Sequence, residues 1–256
     1  MQNAKVDKFN KPPVVSHSKW LEERKKLLDE EKQFTRLRDE LSRRRRELPW
    51  ERVGKDYTFE DMSGTKSLAD LFEGRSQLIV YHAMFDPASA SVETSWTAEA
   101  ACDHCSFWAD SFNGIIVHLN HRDTTMIAVS RANPAAIAAY QKRMGWGFKW
   151  VSSGGSDFNT DFGVSFSATD LAGNGAQYNY KETPHQSEMH GVSVFYSGPP
   201  GVIFHTYSCY SRGIDMLNTT YQYLDLVPKG RDEQNGNKHW VCRHDEYTTD
   251  VRRHGK

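Results

Sequence analysis

The sequence predicts an α/β fold in which a mixed sheet is flanked by helices and preceded by one long amphipathic helix. Three observations predict it: an apolar repeat near the start, a nearly continuous apolar segment followed by a Cys-x-x-Cys pair, and two later apolar segments joined by a turn. The 256 residues are 38% hydrophobic and 12% aromatic, which is enough for a sizeable core. The net charge of −1 favours neither a nucleic acid nor a membrane as partner.

The cysteine content points to a reducing compartment. The sequence shows no apolar run typical of a signal peptide or a membrane span, so we expect a cytoplasmic protein. The cysteines, Cys102, Cys105, Cys209 and Cys242, are too few for a disulfide framework at this length. In a cytoplasmic protein, a Cys-x-x-Cys pair more often carries redox or metal chemistry than a structural bridge.

The amino-terminal part predicts a flexible arm over residues 1–15 and a helix over residues 16–49, capped by Ser16 or Ser18 and ended by Pro49. Its apolar positions recur every seven residues, at Trp20, Leu27, Phe34, Leu41 and Leu48. This long, narrow stripe in a heavily charged helix favours packing against a partner chain, which allows a homodimer. We interpret the arginine run 43–46 as a solvated helix face rather than as a phosphate site.

Residues 50–228 predict the α/β domain, and residues 229–256 a polar tail with an exposed Trp240-Val241-Cys242. Residues 77–85 are nearly continuously apolar, which indicates a central strand buried on both faces. The other predicted elements are a strand near 55–59, a helical turn at 67–72, a loop over 86–100, a helix from about 102 to 119, a strand at 124–130, a helix at 134–144, a loop over 145–161, a hairpin of 192–196 with 202–207, and a closing helix over 215–226.

This order of elements places the cysteine pair after the first strand of a parallel pair, at a helix start. In open α/β sheets, active sites lie at the carboxyl ends of the parallel strands. At the first turn of a helix, unpaired N–H groups favour a negative charge, and thiolates there have pKa values of roughly 3.5 to 7.5. We therefore expect Cys102 to be the nucleophile and the more acidic thiol, and Cys105 to be its resolving partner. Protonated His104 would stabilise the thiolate, whereas Asp103 would oppose it.

Two other interpretations of these residues stay open. No cofactor is our first expectation, but Cys102, Cys105, His82 and His104 form a possible copper ligand set of soft sulfur and nitrogen atoms. A structural zinc site is disfavoured, because no second Cys or His pair occurs at close spacing. A non-catalytic interaction protein that assembles through the long helix is the other alternative, and it predicts that replacing Cys102 leaves function intact.

Several segments carry a family resemblance. They are Trp20-Leu21, residues 31–41 (EKQFTRLRDEL), Leu48-Pro49-Trp50, residues 77–82 (QLIVYH), residues 105–110 (CSFWAD), residues 154–163 and residues 221–231. From about Ser16 to Tyr247, the chain resembles a thioredoxin-like family of bacterial and fungal proteins known as predicted dithiol-disulfide oxidoreductases, a domain of unknown function. The resemblance implies a thioredoxin-like fold for residues 50–228 and a redox-active disulfide at Cys102 and Cys105, with His104 beside it.

The resemblance also implies a protein or small-molecule thiol or disulfide as substrate, and an external reductant that restores the dithiol. In the family the pair is usually Cys-Pro-Ser-Cys, whereas Asp103 and His104 separate the cysteines here. Thioredoxins have a cis-proline where this chain has His190-Gly191-Val192, and peroxiredoxins have a threonine or serine where it has Glu99. We therefore expect thiol-disulfide exchange rather than the usual peroxidase chemistry.

Overall fold

The computed structural model describes residues 11–173, 175–199, 201–233 and 240–247. Residues 1–10 of the predicted arm, and residues 234–239 and 248–256 of the predicted tail, lie outside this part. The strands are β1 (Glu51–Arg52), β2 (Thr58–Asp61), β3 (Gly64–Ser67), β4 (Gln77–His82), β5 (Thr124–Ser130), β6 (Trp150–Ser152), β7 (Gly191–Gly198) and β8 (Val202–Tyr210). The helices are α1 (His17–Arg46), α2 (Asp103–Ala109), α3 (Phe112–Asn120), α4 (Pro134–Met144), α5 (Phe158–Asp161), α6 (Ala168–Leu171) and α7 (Thr219–Leu224).

These strands form one eight-stranded sheet in the order β1-β8-β7-β4-β5-β6-β2-β3. Strand β4 lies at its centre, parallel to β5 and antiparallel to β7. Every residue of β5 is buried, as expected for a strand covered on both faces. Helices α2 and α3 connect β4 to β5, and α4 connects β5 to β6. The predicted mixed sheet with flanking helices and a thioredoxin-like strand arrangement is thereby confirmed.

The sheet separates two buried layers, because successive side chains of a strand point to opposite faces. Tyr81 of β4 packs in the layer that contains Cys102, Cys105 and helices α2 and α4, which we call the dithiol face. Leu78 and Val80 pack in the layer that contains Phe158 and Phe195, which we call the histidine face because the His82 ring stacks on Phe158.

Helix α1 confirms the predicted long amino-terminal helix. The Ser16 hydroxyl caps it by accepting a hydrogen bond from the Lys19 N–H at 3.4 Å. No residue of α1 is buried, and its apolar stripe is exposed, including Trp20, Phe34 and Leu41. The homodimer through this helix stays a prediction. No helix in the described ranges is both long and apolar enough to cross a membrane.

Three local predictions differ from the structure; tertiary contacts explain the first two differences, and a local helix cap explains the third. The predicted helix over 102–119 is broken at residues 110–111, where the Asp110 carboxylate accepts a hydrogen bond from the Trp146 indole at 2.9 Å. The predicted loop over 145–161 contains β6, which pairs with β5 in parallel. The predicted closing helix is a 3₁₀ turn, Ser211–Leu217, followed by α7, because the Asn218 side chain caps a new helix start.

Candidate dithiol site

The backbone around Cys102 is tied to the end of the central strand and to the first turn of α2. The Cys102 N–H donates to the Met84 carbonyl at 3.0 Å. The Cys102 carbonyl accepts hydrogen bonds from both the N–H and the hydroxyl of Ser106, at 2.9 and 2.8 Å. The Ser106 hydroxyl also bonds to the Tyr140 hydroxyl at 2.7 Å, which links this turn to α4. The dithiol therefore sits on a rigid support, as a preorganised site requires.

The carboxyl-terminal segment, residues 240–247, packs against the same turn. The Arg243 guanidinium is buried and donates from Nε and Nη2 to the Ala101 carbonyl, at 3.0 and 2.6 Å. Farther along the helix, His244 Nδ1 lies 2.6 Å from Asp110 Oδ1. Val241 is only 3% exposed, so the predicted exposed Trp240-Val241-Cys242 is wrong. Polar composition does not reveal such docking, because the partners are more than 100 residues apart in sequence.

The two sulfur atoms differ in their electrostatic surroundings. Cys102 and Cys105 are free thiols, and they are 2% and 3% exposed. A hydrogen bond from the Cys105 thiol, together with one from His104, lowers the pKa of Cys102 despite burial and the nearby Asp103 charge. Burial and the charge on Cys102 raise the pKa of Cys105 well above its ordinary value. The order of acidity is therefore the one that the sequence predicted.

His104 supplies the positive charge of the site. Its Nδ1 lies 2.8 Å from Asp103 Oδ1, and Cys102 Sγ lies 3.6 Å from the same oxygen. Burial lowers the pKa of His104, but its hydrogen bonds to Asp103 and Cys102 outweigh burial and raise the pKa to about 9. At neutral pH, the imidazolium therefore faces both a thiolate and a carboxylate.

Two groups near Cys105 were not anticipated from the sequence. The Met84 N–H donates to Cys105 Sγ at 3.3 Å. The Tyr81 side chain is 1% exposed, and its hydroxyl lies close enough to Cys105 to lower the pKa of that thiol. The sequence indicated only that Tyr81 and His82, as neighbours in a strand, face opposite sides of the sheet, and not which side receives the cysteines.

In the structure, His82 lies apart from Cys102, Cys105 and His104, the other residues of the possible copper ligand set. His82 Nε2 bonds to the Ser193 hydroxyl at 2.9 Å on the histidine face, because alternate residues of β4 face opposite sides of the sheet. Burial lowers the pKa of His82 to about 3. On the dithiol face, Cys102, Asp103 and His104 offer ligand atoms within 4.8 Å of one another, so Asp103 is a possible ligand that the sequence analysis left out.

A buried hydrogen-bond chain continues from His82 toward the sheet edge. The Ser208 hydroxyl donates to the Ser193 hydroxyl at 2.9 Å, and His205 Nε2 lies 2.7 Å from the Ser208 oxygen. Residues 205 and 208 face the same side because a bulge shifts the register of β8 against β7. His205 therefore belongs to this chain and not to the dithiol. Cys209 also lies on β8, where burial raises its pKa.

Solved structures to which the chain is similar, at low sequence identity, include several described as peroxiredoxins. The bacterioferritin comigratory protein of Xanthomonas campestris is 13% identical, with a TM-score of 0.45 over 68% of this chain and 94% of that chain. Peroxidoxin BcpB of Mycobacterium tuberculosis is 12% identical, with a TM-score of 0.41 over 69% of this chain and 97% of that chain. The mitochondrial 2-cys peroxiredoxin of Plasmodium falciparum is 10% identical, with a TM-score of 0.39 over 69% of this chain and 92% of that chain.

No curated protein sequence matches the chain. One protein-family model does match, over residues 9–247, and it includes α1, the whole sheet, the dithiol turn and the carboxyl-terminal segment. That family is described as a bacterial protein of unknown function, DUF899. Because the match extends over nearly the full sequence, the chain belongs to the DUF899 family.

Proposed function

We propose that the chain is a thiol-disulfide oxidoreductase that works through Cys102 and Cys105. The observation that carries the proposal is the asymmetry of the two thiols. Cys102 has a lowered pKa and a cationic neighbour in His104, whereas Cys105 is a buried neutral thiol beside it. This is the arrangement that a nucleophile and a resolving thiol require, because the thiolate is the attacking form.

The reaction proceeds in two exchange steps. The Cys102 thiolate attacks one sulfur of a substrate disulfide, and the other sulfur leaves as a thiolate that takes up a proton. Cys105 then loses its proton and attacks Cys102 Sγ, which releases the second substrate thiol and leaves a Cys102–Cys105 disulfide. The substrate gains two electrons and the protein loses them. An external thiol reductant returns the protein to the dithiol form.

The burial of the dithiol favours a small substrate. Neither cysteine residue is more than 3% exposed, and the carboxyl-terminal segment packs on the residue before Cys102. A disulfide within a folded protein could not reach Cys102 without displacing part of this cover. We therefore propose a low-molecular-weight disulfide as the substrate class, with protein disulfides as slower substrates.

The test uses serine variants of single cysteines and a low-molecular-weight disulfide. In Cys102→Ser, consumption of the disulfide should fall at least 100-fold, because the nucleophile is gone. In Cys105→Ser, a mixed disulfide should accumulate on Cys102 and be visible as added mass on the intact protein. Cys209→Ser is the matched control and should behave like the unaltered protein. Full turnover in Cys102→Ser would refute the proposal.

A metal site is the second candidate, favoured by the close approach of the ligand atoms of Cys102, Asp103 and His104. Thiolate and imidazole ligands suit copper or zinc. The dithiol reduction potential and the metal content should be measured on the same purified sample. Stoichiometric copper or zinc that is lost in Cys102→Ser would replace the redox proposal with a metal site.

A further inference from the structure

The Tyr81 hydroxyl is a buried polar group without a hydrogen-bond partner. Its oxygen makes no hydrogen bond of acceptable length and angle to any described residue, although the side chain is 1% exposed. Leaving such a group unsatisfied costs about 1–3 kcal/mol. Most buried polar groups in proteins are satisfied, so this exception requires an explanation.

The Tyr81 ring cannot turn away to find another partner. Its backbone is paired on both sides, opposite Ala128 of β5 and Val192 of β7. Its ring packs edge-on against Phe112 of α3, with 5.1 Å between the ring centroids. The hydroxyl is therefore held where it is, beside the Cys105 sulfur.

In the reduced state Cys105 is a neutral thiol, and the Tyr81 hydroxyl lacks an acceptor among the described residues. The Cys105 sulfur becomes that acceptor when it bears negative charge. A neutral thiol is a weak hydrogen-bond acceptor, whereas a sulfur that bears negative charge is a strong one. The Met84 N–H already points at the same sulfur, with 3.3 Å between nitrogen and Sγ. The Met84 N–H and the Tyr81 hydroxyl, which lies in the same buried layer as Cys105, are thus the donors available to this sulfur.

We propose that Tyr81 Oη–H and the Met84 N–H together form a thiolate hole that stabilises the negative charge on Cys105 Sγ during resolution of the mixed disulfide. This makes Tyr81 a catalytic residue of the second exchange step, and the inference rests on the proposed oxidoreductase function. The principle is that of an oxyanion hole, in which donors are placed in advance where charge develops.

The chemistry of the step is balanced without a proton from Tyr81. Cys105 loses its thiol proton, its sulfur bonds to Cys102 Sγ, and the bond between Cys102 Sγ and the substrate sulfur breaks. The departing thiolate takes up one proton, so the products are a substrate thiol and the Cys102–Cys105 disulfide. Tyr81 keeps its proton and donates a hydrogen bond, and burial raises its pKa, which keeps the hydroxyl protonated.

The experiment resolves the two steps with dithiodipyridine, a small disulfide that releases a coloured thione at each exchange. The full chain is used with Cys209→Ser and Cys242→Ser, so that only the dithiol reacts. The first phase reports attack by Cys102, and the second reports attack by Cys105. In Tyr81→Phe, we expect the second phase to slow about tenfold and the first phase to keep its rate, because one hydrogen bond to charged sulfur is lost.

Tyr57→Phe is the control. It removes a hydroxyl on the histidine face, one that donates to the Asp161 carboxylate at 2.8 Å rather than to a sulfur atom. Its second phase should keep its rate. An unchanged second phase in Tyr81→Phe, equal slowing of both phases, or equal slowing in Tyr57→Phe would each overturn the assignment of Tyr81. A failure of the underlying oxidoreductase function looks different, because thione release would then persist in Cys102→Ser.

Discussion

The two faces of the sheet bury ionisable groups in opposite ways. On the dithiol face, the His104 imidazole and the Met84 N–H lie beside sulfur atoms and favour negative charge. On the histidine face, hydroxyl groups link His82 to the sheet edge, and burial keeps that imidazole neutral. The same strand, β4, supplies a residue to each face. Charge is therefore stabilised on one side of the sheet and suppressed on the other.

The difference shows how to separate a reactive centre from a structural polar network. Both centres are buried, and both contain histidine. In the described part of the chain, the dithiol face places an acidic thiol beside a cation, and the histidine face does not. The chain on the histidine face links imidazole and hydroxyl groups by hydrogen bonds, as expected for a polar network that supports the core. The following predictions test this contrast.

The largest expected effect is on the pH dependence of stability and concerns Glu188. Its side chain approaches Asn159 beside the histidine face. This carboxyl is 2% exposed, accepts a hydrogen bond from the Ser165 hydroxyl at 2.8 Å, and has its pKa raised by burial from 4.5 to about 8. Between those pH values, the folded chain holds a proton that the unfolded chain has lost. The contribution of Glu188 to the free energy of unfolding should therefore fall as pH rises, with a slope of about 1.4 kcal/mol per pH unit.

Glu188→Gln should remove this slope between about pH 4.5 and 8. Denaturant unfolding at a series of pH values measures it, and the slope is the readout because the absolute stability also depends on how the new amide is bonded. Glu182→Gln, which alters an exposed glutamate of the same region, should keep the slope. If the slope persists in Glu188→Gln, the carboxyl is not held neutral by burial.

The next effect concerns His104 on the dithiol face. In His104→Ala, we expect alkylation of Cys102 to slow about tenfold at pH values below its pKa of about 5, because losing an adjacent positive charge raises a thiol pKa by roughly one unit or more. The pH at which half of Cys102 is ionised should rise accordingly. Alkylation by iodoacetamide against pH, with the site identified by mass spectrometry, measures this shift.

His118→Ala is the control for that measurement, since His118 is an exposed histidine on neighbouring α3. It should leave the alkylation profile unchanged. An unshifted profile in His104→Ala would mean that another group ionises Cys102, and the contrast between the two faces would then rest on the hydrogen bonds to sulfur alone.

The smallest effect is expected from Ser208→Ala on the histidine face. This change removes a hydroxyl that donates to Ser193 and faces His205, so the protein should lose about 1 kcal/mol of stability. The rate of Cys102 alkylation should not change, because the sheet separates the two centres. A slower or faster alkylation in this variant would show that the two faces are coupled.

The local features of the fold and the dithiol were predictable from short sequence patterns. The apolar run of residues 77–85 indicated a central strand, and the seven-residue repeat indicated α1. The Cys-x-x-Cys spacing identified a dithiol at the start of a helix, with Cys102 as the more acidic thiol. These predictions succeed because periodicity, and the hydrogen bonds that Cys102 receives from Cys105 and His104, depend on residues close in sequence.

The surroundings of the dithiol were decided by the tertiary structure. Arg243 reaches Ala101 across 142 positions of the sequence, and the loop predicted before α5 contains β6 because β5 offers it a pairing edge. His82 and Tyr81 are adjacent in sequence but belong to different faces, and only packing determines which face receives the cysteines. Contacts between distant segments depend on how the helices and the carboxyl-terminal segment pack on the sheet, and no local sequence pattern encodes this packing.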